Sequence, residues 1–194
     1  VNAPPLPRAS AALSAAQHKA ALWTDAALHV YAVVMGSRVV DLPARLTQAQ
    51  DGKPGLDVHC LRAGALSPAE QAAAAYLVRL HPDAAFTNWL LDEAAAGHPD
   101  WGVLVRSKLE TIAMRSHARA LCQARTPSGE AIQLAWMDPA VLRLLLPLAA
   151  PDQLRQIFEP VAALSLLEPA RWTHFRLALG RLQTELVDVT VARA

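Results

Sequence analysis

Helix-start signals alternate along this chain with short β-rich runs, and that alternation constrains the fold more than any other feature of the sequence. Ser67-Pro68-Ala69-Glu70 and Ser107-Lys108-Leu109-Glu110 each place a hydroxyl at a helix N-cap and a carboxylate three residues later. At that spacing each side chain satisfies a backbone N–H that the helix end leaves unpaired. Asp138-Pro139 opens a further helix. Aspartate accepts from the first-turn amides, and proline at the first helical position loses nothing by lacking an N–H. Pro151-Asp152 opens another. Between these starts lie β-rich runs at Val30 to Met35, Leu56 to Leu61, Tyr76 to Leu80, Val103 to Arg106, Ile132 to Trp136 and Val161 to Leu167. Helices are also expected over Ser10 to Ala26, Ala84 to Ala96 and Lys108 to Ala124. The expected fold is mixed α/β (α+β), a central sheet of about five to six strands with helices packed on its faces. Arg171 to Leu179 fits two periods: Trp172, Phe175 and Leu179 suit a helical face, whereas Thr173, Phe175 and Leu177 suit a strand.

At 194 residues and 53% hydrophobic composition, a single core can hide roughly 70% of the unfolded surface. One domain over residues 1–194 is expected, with the Pro/Ala-rich residues 1–9 as a flexible start. A formal net charge of +1 supplies no global field to gather nucleic acid or anionic membrane. Cys60 and Cys122 are too few to read as a secreted disulfide framework, so a reduced, cytoplasmic setting is expected. The apolar run Val141 to Ala150 is broken by Arg143 and Pro147, well short of the roughly 20 residues that span a bilayer. Val1 to Ser10 lacks the charged start and apolar centre of a signal peptide.

The search for catalytic and metal-binding patterns yields little. Gly36-Ser37 has no nucleophile-elbow frame. Gly52-Lys53-Pro54-Gly55 reads as a turn, because Pro54 blocks the helix that a phosphate-binding loop needs. No Cys-x-x-Cys or His-Glu-x-x-His spacing occurs, and His59 and Cys60, adjacent on an expected strand, point to opposite faces. His81-Pro82-Asp83 and His98-Pro99-Asp100 read as turns in which proline sets the bend and aspartate caps or closes it. No catalytic residue, metal or cofactor is expected on this reading. The alternative is a hydrolase that assembles Ser37, His117 and an acidic residue through the fold.

Candidate binding residues stand out more clearly. Trp89 with Phe86 and Leu90 has the spacing of a helical core stripe, and Trp23 falls on a helix, so both read as core. Trp101, after a turn and before Gly102, reads as packing. Trp136 and Met137 are consecutive on an expected strand, so one of them must leave the core face. On the helix from Lys108, residues Leu109, Ala113, Ala120, Leu121 and Ala124 gather on one side. Lys108, Arg115 and Arg119 lie on the other, either as a solvated face or as a docking stripe for an acidic segment. His117, on the apolar side, reads as a hydrogen-bonded core residue. Arg106 ends a strand just before a helix start, where function tends to gather. Arg106, Trp136, Met137, Lys108, Arg115 and Arg119 are therefore the candidate partner-binding residues.

Leu134-Ala135-Trp136-Met137-Asp138-Pro139-Ala140-Val141-Leu142 leads on to Phe158-Glu159-Pro160-Val161. Upstream lie Tyr31 to Arg38, Tyr76-Leu77-Val78-Arg79-Leu80, and Trp101-Gly102 with Ser107. This ordered set, from about Tyr31 to Val161, resembles the domain of unknown function found in type VI secretion effector adaptors, also called effector chaperones. Met35 stands where that family usually has Asp, Ala135 where it has Arg, and Glu159 where it has Gly. The resemblance implies a family core over residues 28–167 and a C-terminal extension over 168–194 that begins a second lobe. It also implies that Arg171 to Leu179 is a strand. By function it implies an adaptor that binds the N-terminal region of a cognate toxic effector and helps load it onto the valine-glycine repeat spike protein.

Overall fold

The structure is a computed structural model that describes residues 13–98, 100–126 and 128–190. Its strands are β1 (Leu13–Ser14), β2 (His29–Met35), β3 (Val58–Cys60), β4 (Ala75–Arg79), β5 (Gly102–Ser107), β6 (Gln123–Arg125), β7 (Ala131–Gln133), β8 (Val161–Glu168), β9 (Arg171–Ala178) and β10 (Arg181–Thr190). An antiparallel ladder of seven runs β10-β9-β8-β5-β2-β4-β3, and β1 pairs in parallel with the outer end of β10 to make eight. Strands β6 and β7 form a separate two-stranded ribbon.

Val30 to Val34 are all buried, which requires cover on both faces of β2. Residues Val30, Ala32 and Val34 pack with Leu42 and Leu46 of the Leu42–Asp51 helix and with Leu90 and Ala94 of the helix over residues 85–97. Tyr31 and Val33 pack on the other face with Met114, Ala118, Trp136, Leu142, Leu146 and Phe158. These come from the Thr111–Leu121, Pro139–Leu148 and Pro151–Phe158 helices and the turn between. Each fully buried side chain of this size contributes about 1.5–3 kcal/mol. The two cores account for the uninterrupted apolar run in the centre of the sheet.

The sheet is wider than the expected five to six strands because the chain folds back twice after β8. Pro169-Ala170 connects β8 to β9, and Leu179-Gly180, with φ of 52° and 73°, connects β9 to β10. Positive φ at both central residues is the twist that a two-residue hairpin needs. Arg171–Ala178 is thus a strand, and β10 follows it within the same ladder.

Several local expectations are corrected. The Ile132 to Trp136 run contributes only Ala131–Gln133, and that segment lies in the ribbon rather than the main sheet. The chain then turns, with Asp138 N donating to Ala135 O at 2.9 Å, and draws Trp136 inward. Ser107 does not cap a helix: its hydroxyl donates to Pro160 O and accepts from Leu109 N. The helix begins at Thr111 and ends at Leu121, and Gln123 to Arg125 form β6. Its buried positions are Thr111, Met114 and Ala118, while Ala113 and Ala120 are exposed. The leading helix spans Ala15–Ala21 and is capped by Ser14; Ser10 lies outside the described residues, and Trp23 sits in the turn after the helix, half-buried against the core.

Other signals hold. Ser67 and Glu70 form a reciprocal capping box, and Asp138 accepts from Ala140 N at 2.9 Å while also pairing with Arg38 at 3.2 Å. Asp138→Ala is expected to cost about 1 kcal/mol. Urea denaturation checks this, and an unchanged midpoint would contradict the capping assignment. His81 to Asp83 form a turn, but Asp83 caps nothing: the next helix is preceded by Ala84 with no side-chain cap. That helix widens to a π turn over Trp89–Ala94. Asp100 has φ 58° and accepts from Arg143, while Pro99 lies outside the described residues.

Candidate functional site

The candidate partner-binding residues do not converge. Val103 and Val105 face the core that contains Trp136 and Met137. Arg106, one position on, faces the other side of the sheet, beside His18 and Leu22. Trp136 is 2% exposed and its indole N–H donates to Ala118 O at 2.9 Å; Met137 is also buried. Both residues can enter the core because they lie in a turn, where the alternation of a strand does not apply. Lys108 is exposed and precedes the helix. Arg119 is half-buried and its Nε donates to Leu61 O at 2.9 Å, tying the helix to the segment after β3. Arg115 is half-buried as well. The expected basic stripe is therefore divided among a loop residue and two partly covered ones.

His117 is half-buried, with Nε2 3.2 Å from Ile157 O. Burial lowers its pKa below the ordinary histidine value, and the carbonyl contact raises it by less. Ser37 is exposed in the turn after β2. Cys60 and Cys122 are free thiols, and burial pushes the Cys122 thiol up. Among the described residues, no group of three or more His, Cys, Asp or Glu is placed to hold a metal ion. No helix among them is long and apolar enough to cross a membrane.

Three concave regions among the described residues bear on binding. The first lies on the outer side of the Pro139–Leu148 helix. Leu142 and Leu146 face the core, while Leu144 and Leu148 are 70% and 83% exposed. With Val141, Leu145 and Ala149 they line an apolar hollow of about 300 Å³. Leu145, Ala149 and Gln153 also line a neighbouring groove of about 570 Å³ that runs along Leu121, Ala124 and Leu134. The two form one surface. Leu144 and Leu148 are harder to find from sequence because this helix is apolar apart from Arg143, and only its packing separates the inner leucines from the outer ones.

The second is a hollow of about 330 Å³ lined by Met35, Leu61, Cys122, Ala135 and Met137. Met35 and Ala135, far apart in sequence, meet there.

The third is polar and lies on the opposite face of the sheet. His18, Arg106, Ser165, His174, Arg176 and Glu185 line a cleft of about 190 Å³ between the Ala15–Ala21 helix and strands β5, β8, β9 and β10. Strand register brings them together: Arg106 pairs with Ala163, Ser165 with His174, and His174 with Glu185. Ser165 Oγ lies 2.7 Å from His174 Nδ1, and Arg176 is paired with Glu185. Burial lowers the pKa of both His18 and His174, with Glu185 raising each by less. Sequence reading missed this cluster. The one available signal was Ser165, a hydroxyl in the middle of the otherwise apolar run Val161 to Leu167.

Comparison with known proteins gives one match. No curated protein and no solved structure matches the chain. The family model described as "Domain of unknown function (DUF4123)" matches residues 30–156, which covers β2 through most of the Pro151–Phe158 helix. The chain therefore belongs to the DUF4123 family, the family that its ordered motifs resemble.

Proposed function

We propose that this protein is an effector adaptor of a type VI secretion system. On this reading it is a non-catalytic cytoplasmic module, without cofactor, that binds the N-terminal region of a cognate toxic effector and helps load it onto the valine-glycine repeat spike. Membership of the DUF4123 family supports an adaptor role. The observation that carries the binding part is the uncovered apolar surface of Leu144 and Leu148 beside the groove along Leu145, Ala149 and Gln153. Leucines this exposed, next to a hollow with apolar walls, are what an interface core offers once a partner excludes water. The proposed occupant is an apolar segment of the effector, with Gln153 and Gln156 at the rim supplying hydrogen bonds.

The test is co-purification with the product of the gene adjacent to its own, using the wild type and a Leu144→Asp, Leu148→Asp double variant. Binding is expected to weaken at least about 30-fold, the loss typical of a buried interface anchor at about 2 kcal/mol. The melting temperature should be unchanged, because both side chains are already exposed. Full binding by the double variant moves the interface away from this surface. Failure of the wild type to capture the product argues against the adaptor reading itself.

A further inference from the structure

We propose that the polar cleft beneath the Ala15–Ala21 helix is a binding site for a singly charged carboxylate. Two buried nitrogens there lack a partner among the described residues. His18 is only 5% exposed and its Nε2 is buried without a hydrogen bond. The Nε of Arg106 is likewise buried and unbonded, and no carboxylate among the described residues lies within ion-pair distance of its guanidinium. Folded proteins leave few buried polar groups unpaired. Both residues line the same cavity, so one oxyanion seated there, with the two side chains turned toward it, could serve both.

Charge count and lining select the class. The cleft holds two guanidiniums, Arg106 and Arg176, and one carboxylate, Glu185, which Arg176 already neutralises. One positive charge remains, matching a monoanion, and a phosphate dianion would face Glu185 with its second charge uncompensated. Leu22 and Val187 supply apolar wall beside these groups, which suits a carboxylate on a short aliphatic stem. Arginine presents its donors in the fork that a carboxylate accepts. Ser165 and His174 are bonded to each other and hold the floor of the cleft in place. Such a carboxylate comes either from a free small acid or from the side chain of a partner protein. This inference does not depend on the apolar groove or on the adaptor reading.

The experiment titrates the full chain with butyrate, with an end-blocked Gly-Glu-Gly tripeptide, and with inorganic phosphate, against chloride at matched ionic strength. Histidine ring NMR signals and the melting temperature are the readouts. Butyrate or the tripeptide should shift the His18 and His174 signals saturably and raise the melting temperature, with the tighter of the two assigning the source. Arg106→Met should weaken that binding at least tenfold while leaving the chloride melting temperature close to wild type. If Arg106→Met fails to fold, Arg106→Lys, which keeps the charge and loses Nε, should weaken it as well. The proposal is overturned if neither carboxylate gives a saturable shift, if phosphate binds as tightly, or if the Arg106 variants bind like the wild type.

Discussion

Trp136→Ala is expected to lower the stability of the fold by about 4 kcal/mol, the cost of emptying a large buried aromatic site. The indole sits between the sheet and the Thr111–Leu121 helix, and its N–H holds the Ala118 carbonyl at 2.9 Å. Truncation removes both the packing and the hydrogen bond, and the surrounding Met114, Leu142 and Leu146 side chains are fixed by their own contacts to the sheet. The cavity can therefore close only in part. Equilibrium denaturation measures the loss. A variant with the wild-type midpoint that no longer captures a partner would make Trp136 a contact residue and overturn its assignment to the core.

Gly102→Val is expected to do at least as much damage, roughly 4 kcal/mol or more, because it combines backbone strain with a clash that no rotamer relieves. Gly102 opens β5 with φ 150° and is paired with Val34. A Cβ added there would lie 1.9 Å from the Val33 carbonyl oxygen and 3.3 Å from the Val34 Cα. Both obstacles are backbone atoms of the central strand β2, so the two middle strands must separate to admit a side chain. Soluble yield and far-ultraviolet circular dichroism give the result. A well-folded variant with a normal midpoint would show that the strands can yield.

These two residues belong to the motifs that carry the family resemblance, and their roles explain what those motifs reveal. Trp101 is buried, Gly102 permits the approach of β2, and the Ser107 hydroxyl holds the Pro160 carbonyl. Asp138 caps a helix. All four maintain the fold, so sequence reading reached the family and most of the elements. The leucines of the proposed surface, Leu144 and Leu148, lie outside those motifs, whose residues named here are taken up by packing and capping. Strand periodicity over Val103 to Arg106 told which residues alternate but not which face met which helix, and Arg106 was grouped with residues on the far side of the sheet. Ser107-Lys108-Leu109-Glu110 has the spacing of a capping box, yet Glu110 is drawn to His29 and Arg79, a tertiary pairing that local sequence does not encode. The cleft around His174 rests on the register of three strands, two of them connected by a two-residue turn whose Leu179 gave little hint of it.

The departures from the family wording are legible in physical terms. Met35 and Ala135 line one hollow, at the positions where the resemblance places Asp and Arg. Met35 is half-buried and Ala135 exposed, so both departures put apolar surface, in place of charge, in the same hollow.

The single ladder between β5 and β8 has a consequence for synthesis. It joins the block β3-β4-β2-β5, complete once Ser107 has been made, to the block β8-β9-β10. The residues that close the seam, Ser107 and Pro160, are 53 positions apart. At about 5–20 residues per second, a nascent chain carries the apolar edge of β5 without its neighbour for about 3–10 s. During that interval the half-built sheet is most exposed to pairing with another chain, and a ribosome-associated chaperone would have its greatest effect on yield between those two points of elongation.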